Sequence, residues 1–422
     1  MAPSARWLDQ PDHLDWLGEQ LRRQLTFARE FPHPDGGAAY LDSDGSPDLT
    51  QPVHTWVTAR MAHVYSLGHL AGSAIALPLA TAAIDGLRGR LRDPVHGGWY
   101  GSVGPGRRVD EEKACYPHAF VVFAASSATV AGVSGAPELL TDALAVLDER
   151  FWQDEYGMHA DSSNRDFSQR YSYRGVNANM HAVEALTSAA DATGDERWRE
   201  RAVRITTNVL LWASEHEWRI PEHFDEQWRP LLEHHREQPD DPFEPYGATV
   251  GHGLEWARLA LHLHAAQGDQ PATELLEGAK ALFARAVEDG WNADGAAGFV
   301  YTTDWSGAPV VRQRMHWVVA EGISATAALG AATGEPQYEQ WYRTWWDYAR
   351  RYLIAEDGSW QHELDPSNEP AETVWPGRPD LYHSVHAVLL GRLPLAPSAA
   401  TALGALRSAP VPMQHRPDQP SG

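Results

Sequence analysis

Six pairs of chemically capable side chains recur along this chain, and histidine is prominent among them. The pairs are Trp56 and Arg60, Tyr116 and His118, Asn177 and His181, His252 and Glu255, Trp317 and Glu321, and His383 and His386. Histidine suits proton transfer near neutral pH, because its unperturbed pKa of about 6.5 leaves both protonation states accessible. If equivalent positions face the same way, the pairs predict one pocket that combines acid/base groups with flat indole walls.

The spacing of these pairs follows a longer repeat in the sequence. A glycine and aromatic signature returns at intervals of about 60 residues, and each pair follows one copy by about 20 to 28 residues. The five clear copies are Asp35–Tyr40, Gly97–Tyr100, Glu155–Met158, Gly298–Tyr301 and Asp357–Trp360, and a degenerate sixth is Glu222–Asp225. Units of this length suit one helical hairpin plus a short two-stranded turn. Six of them predict an all-α fold, an (α/α)6 barrel in which a toroid of hairpins carries short β-hairpin turns.

The overall composition is that of one large globular domain. Of the 422 residues, 43% are apolar, which is enough to bury a substantial core, and the repeat runs through nearly the whole length. We therefore expect a single catalytic domain over residues 1–398. The helical pattern weakens after Pro394, and residues 399–422 are expected to form a loose C-terminal tail.

Charge and cysteine content narrow the possible partners and the compartment. The formal net charge of −23 disfavours nucleic acids and anionic membranes, since no segment concentrates the cations needed to neutralise phosphate groups. Cys115 is the only cysteine, which excludes disulfides within one chain. The first residues lack an apolar signal-peptide core and no apolar run is long enough to span a membrane, so we expect a cytoplasmic protein. The sequence leaves a homo-oligomer open.

Three pairs of residues also have spacings that could hold a metal ion. They are His181 with Glu184, His252 with Glu255, and His383 with His386, and in each the helix would present both side chains together. The order His-x-x-Glu is, however, the reverse of the Glu-x-x-His of helical di-iron carboxylate sites. The chain also has no His-Glu-x-x-His motif. We therefore expect neither a metal nor another cofactor.

Four segments carry a specific resemblance to a known family. They are His54–Met61, Arg174–Glu184, Gly251–Trp256 and Asp380–His383. In this order they resemble the motifs of the N-acylglucosamine 2-epimerase superfamily, and within it the branch of mannose isomerases and sulfoquinovose isomerases. The resemblance extends from about Arg6 to Pro397. It implies an (α/α)6 barrel and metal-free chemistry on the open chain of a reducing monosaccharide.

The resemblance also implies a role for each candidate site residue. His252 and His383 would be the paired acid/base groups, with Glu255 orienting or tuning the imidazole of His252. Arg60, Tyr116, Asn177 and His181 would contact the substrate or open its ring, and His181 would also be a catalytic group. Trp56 and Trp317 would form the pocket wall, and Glu321 would be a supporting carboxylate. His362 would bind substrate near C6 of the sugar.

The implied chemistry is proton transfer between neighbouring carbons of a sugar. The hydrogen on C2 becomes acidic once the ring opens, so a histidine can remove it and leave a cis-enediolate held by hydrogen-bond donors. Returning the proton to C1 gives a ketose, whereas returning it to C2 from the opposite face gives an epimer. The branch resemblance favours conversion of D-mannose to D-fructose, with D-lyxose to D-xylulose as a side activity. A sugar 2-epimerase is the alternative.

Three more distant alternatives depend on the outer pocket and on the fold. Sulfoquinovose isomerases carry glutamine at the positions of His362 and Pro379 and arginine near Pro242, so we expect this pocket to lack donors for an anionic group at C6. Glycoside hydrolases also use helical toroids, but they need two unpaired carboxylates at the centre, where this sequence places His252 and His383. A noncatalytic sugar-binding toroid is disfavoured, because binding alone does not require so many acid/base groups.

Overall fold

The computed structural model describes residues 6–268 and 272–408, and these residues are predominantly helical. They form the α-helices α1 (Pro11–Phe27), α2 (Thr55–Leu70), α3 (Ala76–Arg88), α4 (Cys115–Val130), α5 (Ala136–Val146), α6 (Val176–Thr193), α7 (Arg197–Glu215), α8 (Val250–Ala266), α9 (Thr273–Gly290), α10 (His316–Thr333), α11 (Pro336–Tyr348), α12 (Tyr382–Leu389) and α13 (Ala399–Ser408). Short 3-10 turns lie at Trp7–Asp9, Ala28–Glu30, Pro105–Arg107 and Leu390–Arg392, and π turns at Leu147–Phe151 and Ala349–Leu353. Across these ranges, no helix is both long enough and apolar enough to cross a membrane.

Six of the helices form a closed inner ring. Around this ring α2, α4, α6, α8, α10 and α12 follow one another, and α12 returns to contact α2. One outer helix packs against each inner helix: α3 on α2, α5 on α4, α7 on α6, α9 on α8, α11 on α10 and α1 on α12. The predicted (α/α)6 barrel is therefore confirmed, and the first helix of the chain completes the last hairpin.

The burial of each helix follows from its place in the two rings. Inner helices have neighbours on both sides and an outer helix behind them, so most residues of α2, α4 and α10 are buried. An outer helix is instead amphipathic. In α7 the buried stripe is Trp198, Ala202, Ile205, Val209 and Ala213, at helical spacing. The apolar core therefore lies between the two rings.

Short strands join the helices at one end of the ring. They are β1 (Tyr40–Leu41), β2 (Pro47–Asp48), β3 (Val53–His54), β4 (Ser102–Val103), β5 (Lys113–Ala114), β6 (Trp152–Gln153), β7 (Met158–His159), β8 (Ser162–Ser163), β9 (Arg174–Gly175), β10 (His223–Phe224), β11 (Ala248–Thr249), β12 (Thr302–Thr303), β13 (Arg314–Met315), β14 (Glu363–Leu364) and β15 (Pro370–Ala371). Five antiparallel pairs, β3–β4, β5–β8, β9–β10, β11–β12 and β13–β14, each connect the strand before an inner helix with the strand after its outer helix. Further pairs are β1–β2, β6–β7 and β14–β15.

One backbone hydrogen bond recurs in five of the units and fixes the start of the inner helix. The first residue of the helix donates its N–H to the carbonyl oxygen of the residue just before the second strand. The pairs are Thr55 to Gly101, Cys115 to Asp161, Val176 to Glu222, Val250 to Tyr301 and His316 to His362, with N···O distances of 2.7 to 3.1 Å. The first N–H groups of a helix have no partner within the helix, so these bonds satisfy a group that would otherwise be unpaired. They also bring the connecting strands to the mouth of the ring.

The repeated glycines form the tight turn that follows each outer helix. In the five clear copies Gly37, Gly98, Gly157, Gly298 and Gly358 have φ between 63° and 116°, a region that glycine adopts without steric cost. The degenerate copy does not form such a turn. Its residues His223 and Phe224 are strand β10, so the segment matches the strand that follows the turn in the other units, and its predicted register was wrong.

The expected loose tail is wrong for its first ten residues. Ala399–Ser408 form α13, which packs against α2, α4 and α6. This helix buries Ala400 and Leu403, and such packing stabilises a helix that would be marginal alone at this length. The remaining residues, 409–422, lie outside the described part of the chain.

The packing of α13 predicts a measurable contribution to stability. Leu403 is 8% exposed and Leu406, on the same helix, is 64% exposed. Leu403→Ala should lower the free energy of unfolding by about 2 kcal/mol or more, because it deletes buried methyl groups. Leu406→Ala should change it by less than about 0.5 kcal/mol. Urea denaturation of both variants tests this, and equal effects would show that α13 does not dock on the ring.

Candidate active site

A pocket opens at the end of the ring where the inner helices begin. The first two turns of all six inner helices contribute side chains to it. Of the residues expected at the site, Trp56, Arg60, Tyr116, Asn177, His181, His252, Glu255, Trp317, His362 and His383 line this pocket. The repeat therefore brings together groups that are far apart in the sequence.

Several other side chains that shared the repeat positions do not reach the pocket. Glu321 is fully buried below it. His118 stands two residues after Tyr116, roughly 200° further around the helix, and accepts a hydrogen bond from a backbone N–H. His386 lies one turn deeper and lines a separate cavity. Trp360 is core packing, with 1% exposure.

A carboxylate holds each of the two expected acid/base histidines. Nδ1 of His383 lies 2.8 Å from Oε1 of Glu321, and Nδ1 of His252 lies 2.9 Å from Oε1 of Glu222. An ionised carboxylate only accepts hydrogen bonds, so each Nδ1 carries the proton and each Nε2 keeps its lone pair. The indole of Trp317 contacts both imidazoles, with ring centroids 5.4 and 5.7 Å apart. The Nε2 atoms of His252 and His383 are thus two basic nitrogens beside the same indole ring.

Glu255 occupies a different place from the one expected. Among the described residues, the carboxylate hydrogen-bonded to His252 is Glu222. Glu255 instead accepts a hydrogen bond from Arg258, at 3.3 Å, and its Oε1 lies 3.9 Å from Nδ1 of His181. The expectation that Glu255 orients His252 is therefore corrected, because helix α8 directs its carboxylate towards α6.

Arg258 gathers three buried carboxylates beneath the pocket. Its Nε donates to Glu321 at 2.7 Å, its Nη1 to Glu184 at 3.0 Å and its Nη2 to Glu255 at 3.3 Å. The hydroxyl of Tyr382 also donates to Glu184. Burial, followed by the neighbouring charge of Glu321, raises the pKa of Glu255 well above its ordinary value. This environment therefore favours the protonated form of Glu255, whereas Glu321 contacts both Arg258 and the imidazole of His383.

Arg60 supplies a positive charge at the pocket wall. It donates from Nη1 to Asp380 at 3.1 Å and from Nη2 to the hydroxyl of Tyr116 at 2.9 Å. Its Nε is buried and has no hydrogen-bond partner within the described part of the chain. Burial, and next the charge of Arg60, lower the pKa values of His383 and His181 well below the ordinary value. Both imidazoles are consequently neutral at neutral pH.

The sequence analysis missed several residues of this site. They are Tyr40, Phe243, Tyr301, Trp375, Arg378 and Asp380 in the pocket lining, and Glu222 behind His252. Glu222 and Tyr301 occupy the same repeat position as His362, the residue just before the second strand of a unit. Aligning the units on that position would have found both. Tyr40 ends the first copy of the repeated glycine signature, whereas Phe243, Trp375, Arg378 and Asp380 lie on connections that do not repeat.

Possible metal-ligand atoms come within 4.8 Å of one another in three groups of described residues. These are His181, Glu184 and Glu255; Glu255, Glu321 and His383; and His234, His235 and Glu244. The first two groups surround the guanidinium of Arg258, whose positive charge opposes a cation at the same place. The carboxylates of these two groups therefore belong to an ionic network whose cation is Arg258.

Comparison with known proteins agrees with this arrangement. A sequence model of the family N-acylglucosamine 2-epimerase (GlcNAc 2-epimerase) matches residues 36–387. The chain belongs to the N-acylglucosamine 2-epimerase family. It is 49% identical to a D-mannose isomerase of Thermobifida fusca over 401 residues, which are 94% of this chain and 98% of that protein. It is 44% identical to a D-mannose isomerase of Pseudomonas cannabina pv. alisalensis over 405 residues, 95% of this chain and 97% of the relative.

Two solved structures have the same fold as this chain. A crystal structure of D-mannose isomerase superposes with a TM-score of 0.84 at 28% identity, covering 89% of this chain and 97% of the other. The cellobiose 2-epimerase from Spirochaeta thermophila DSM 6192 superposes with a TM-score of 0.78 at 22% identity, covering 90% and 96%. The second likeness concerns the fold alone. This chain thus shares the double ring of helices with both solved structures.

The Glu222–His252 contact predicts a role for a residue outside the inner helices. Glu222→Gln keeps the shape but replaces the carboxylate that holds Nδ1 of His252 by a neutral amide, so kcat should fall at least about tenfold. The assay uses D-mannose, the sugar in the names of the two relatives. Glu226→Gln, an exposed neighbour, should leave kcat unchanged. Equal activities of the two variants would show that Glu222 does not act through His252.

Proposed function

We propose that this protein is an aldose–ketose isomerase that interconverts D-mannose and D-fructose, with D-lyxose and D-xylulose as a side reaction. One observation carries the proposal: His252 and His383, each tethered through Nδ1 to a carboxylate, face one pocket beside Arg60. Similarity over nearly the full length to two D-mannose isomerases supports the choice of substrate. The reaction needs no metal or cofactor in this scheme.

The first step is opening of the sugar ring, which requires a proton for the ring oxygen. Glu255 lines the pocket, and burial together with the charge of Glu321 raises its pKa, which favours the protonated form. His181 lies next to it and can pass this proton to the ring oxygen. As the bond between C1 and the ring oxygen breaks, the C1 hydroxyl gives up its proton, which returns to the carboxylate of Glu255 through His181. The open chain then exposes the C1 carbonyl, which makes the hydrogen on C2 acidic.

The second step moves a proton from C2 to C1. Burial and Arg60 keep His383 neutral, so its Nε2 can take the C2 proton, and the electrons of that bond pass into a cis-enediolate. Arg60, a cation of the pocket lining, would stabilise the negative charge on the enediolate oxygens. Delivery of the proton to C1, with transfer of the O2 proton to O1, completes the ketose. His252 is the second acid/base group for these transfers.

Two other reactions remain as alternatives with different products. A 2-epimerase would use the same histidines but return the proton to the opposite face of C2, giving D-glucose from D-mannose. A glycoside hydrolase needs two unpaired carboxylates. Here Glu222 pairs with His252 and Asp380 pairs with Arg60. This pairing favours the proton-transfer chemistry over hydrolysis.

Incubation with D-mannose in deuterium oxide tests the proposed reaction. In the presence of EDTA, D-fructose should be the first and dominant product, and deuterium should enter at C1 to the extent that the transferred proton exchanges with solvent. NMR and chromatography distinguish the products. D-Glucose as the dominant product would identify a 2-epimerase. Loss of activity in EDTA, restored by one divalent ion, would contradict the metal-free mechanism.

Removal of either imidazole should nearly abolish turnover. We expect His252→Ala and His383→Ala each to lower kcat by at least about 10²-fold, the usual contribution of a positioned acid/base group. His264→Ala on the same helix as His252 is the control and should retain activity, since that ring lies outside the pocket lining and bonds to the carbonyl oxygen of Ala272. Circular dichroism checks that each variant is folded. Near-normal activity of either active-site variant would refute its assigned role.

A further inference from the structure

Arg378 is a cationic side chain of the pocket that the proposed reaction does not use. It lines the same pocket as the catalytic histidines. Its Nε and Nη1 atoms are buried, and among the described residues neither has a hydrogen-bond partner. No carboxylate of the described residues pairs with its guanidinium, so this positive charge in the pocket lining is available to an anionic group of a ligand.

The backbone holds Arg378 firmly at the rim. Its N–H donates to the carbonyl oxygen of Leu41 at 3.1 Å. The preceding Gly377 has φ of 73°, and a Cβ there would lie 2.1 Å from the same oxygen, so only glycine allows this close approach. The position of Arg378 is thus set by a contact between two distant loops, and it does not depend on a ligand.

Burial and charge both change from the rim to the floor of the pocket. Phe243 at the rim is 50% exposed, whereas His383 and Glu255 on the inner helices are 6% and 1% exposed. The floor carries three carboxylates around the single cation Arg258. The rim carries Arg378, whose guanidinium has unsatisfied donors. Arg60 at the inner wall is already paired with Asp380, so the pocket is polar in a fixed direction, and its cation without an ion-pair partner among the described residues lies at the rim.

We infer that this polarity allows the enzyme to accept aldohexuronates, sugars with a carboxylate at C6, in addition to neutral aldoses. The inference rests on the proposed function, because it places C1 and C2 at His252 and His383. The remaining carbons then extend towards the rim, where Arg378 donates to the C6 carboxylate. A guanidinium recognises a carboxylate through charge-assisted hydrogen bonds, which are about twice as strong as neutral ones.

The carboxylate takes no part in the reaction itself. The C2–H bond breaks and a C1–H bond forms, the O2 proton moves to O1, and no oxidant or reductant is required. D-Mannuronate would give D-fructuronate by the same steps as D-mannose gives D-fructose. With the neutral sugar, Arg378 would donate instead to the C6 hydroxyl.

This inference revises the expectation that the outer pocket lacks donors for an anionic group. That expectation considered His362, Pro379 and Pro242, all of which do line the pocket, but it overlooked Arg378. Acidic side chains beside Pro242 are also engaged in hydrogen bonds within the protein. Asp241 accepts backbone N–H groups from its own loop, and Glu244 pairs with a histidine.

The test compares D-mannuronate with D-mannose in the wild-type protein and in Arg378→Gln. Wild type should isomerise both sugars. The substitution should lower kcat/KM for D-mannuronate by at least about tenfold more than for D-mannose, because it replaces a charge-assisted contact by a neutral one. Arg312→Gln, which changes an exposed arginine outside the pocket lining, is the matched control and should change neither value.

Three outcomes would overturn the inference. One is a wild-type protein that isomerises D-mannose but not D-mannuronate, which leaves the proposed function intact. Another is an equal loss on both sugars in Arg378→Gln, which would make Arg378 a contact for hydroxyl groups only. The third is preference for sulfoquinovose or mannose 6-phosphate over D-mannuronate in parallel assays, which would assign the rim to tetrahedral anions. Failure to turn over D-mannose at all would instead refute the proposed function.

Discussion

The site depends on one buried guanidinium shared by three carboxylates. Arg258 is 2% exposed and contacts Glu184, Glu255 and Glu321, so its removal would leave buried carboxylates without a compensating charge. One positive charge does not neutralise three negative ones, and burial together with the charge of Glu321 raises the pKa of Glu255 well above its ordinary value. The same cluster therefore favours a proton on Glu255 under the pocket and holds Glu321 as the hydrogen-bond partner of His383. Stability and chemistry are set by one group of side chains.

Geometry at the mouth follows from a second constraint, which is the need to satisfy the first N–H of each inner helix. In five units that N–H donates to the connection after the outer helix, which ties the start of the helix to the strand pair. Side chains on the first two turns are thereby fixed relative to those just before the second strand. Glu222 reaches His252 for this reason, although the two residues lie on different elements. The contact between Glu222 and His252 therefore follows from the hydrogen bond that recurs in these units and does not depend on a loop found in one unit alone.

The sequence predicted the parts of the structure that the repeat determines. Ring closure and the pocket-facing positions follow from the even spacing of the hairpins, so residues such as Arg60 and His383 could be placed before any coordinates were known. The partner of His252 could not, because a spacing of three residues on α8 does not reveal that the helix turns Glu255 towards Arg258. Arg378 was missed because its loop exists in one unit only, and α13 because weak periodicity did not show the packing that stabilises it.

In the proposed mechanism, the division between helices and loops separates reaction from selectivity. His252, His383 and Arg60 lie on inner helices whose neighbours on every side restrict their movement, as proton transfer between adjacent carbons would require. Phe243, Trp375 and Arg378 lie on connections outside the two rings of helices. A change on such a loop can alter which group is accepted at the far end of the sugar and leave the carboxylate-held imidazoles in place. The double ring thus permits selectivity to change without rebuilding the groups that move the proton.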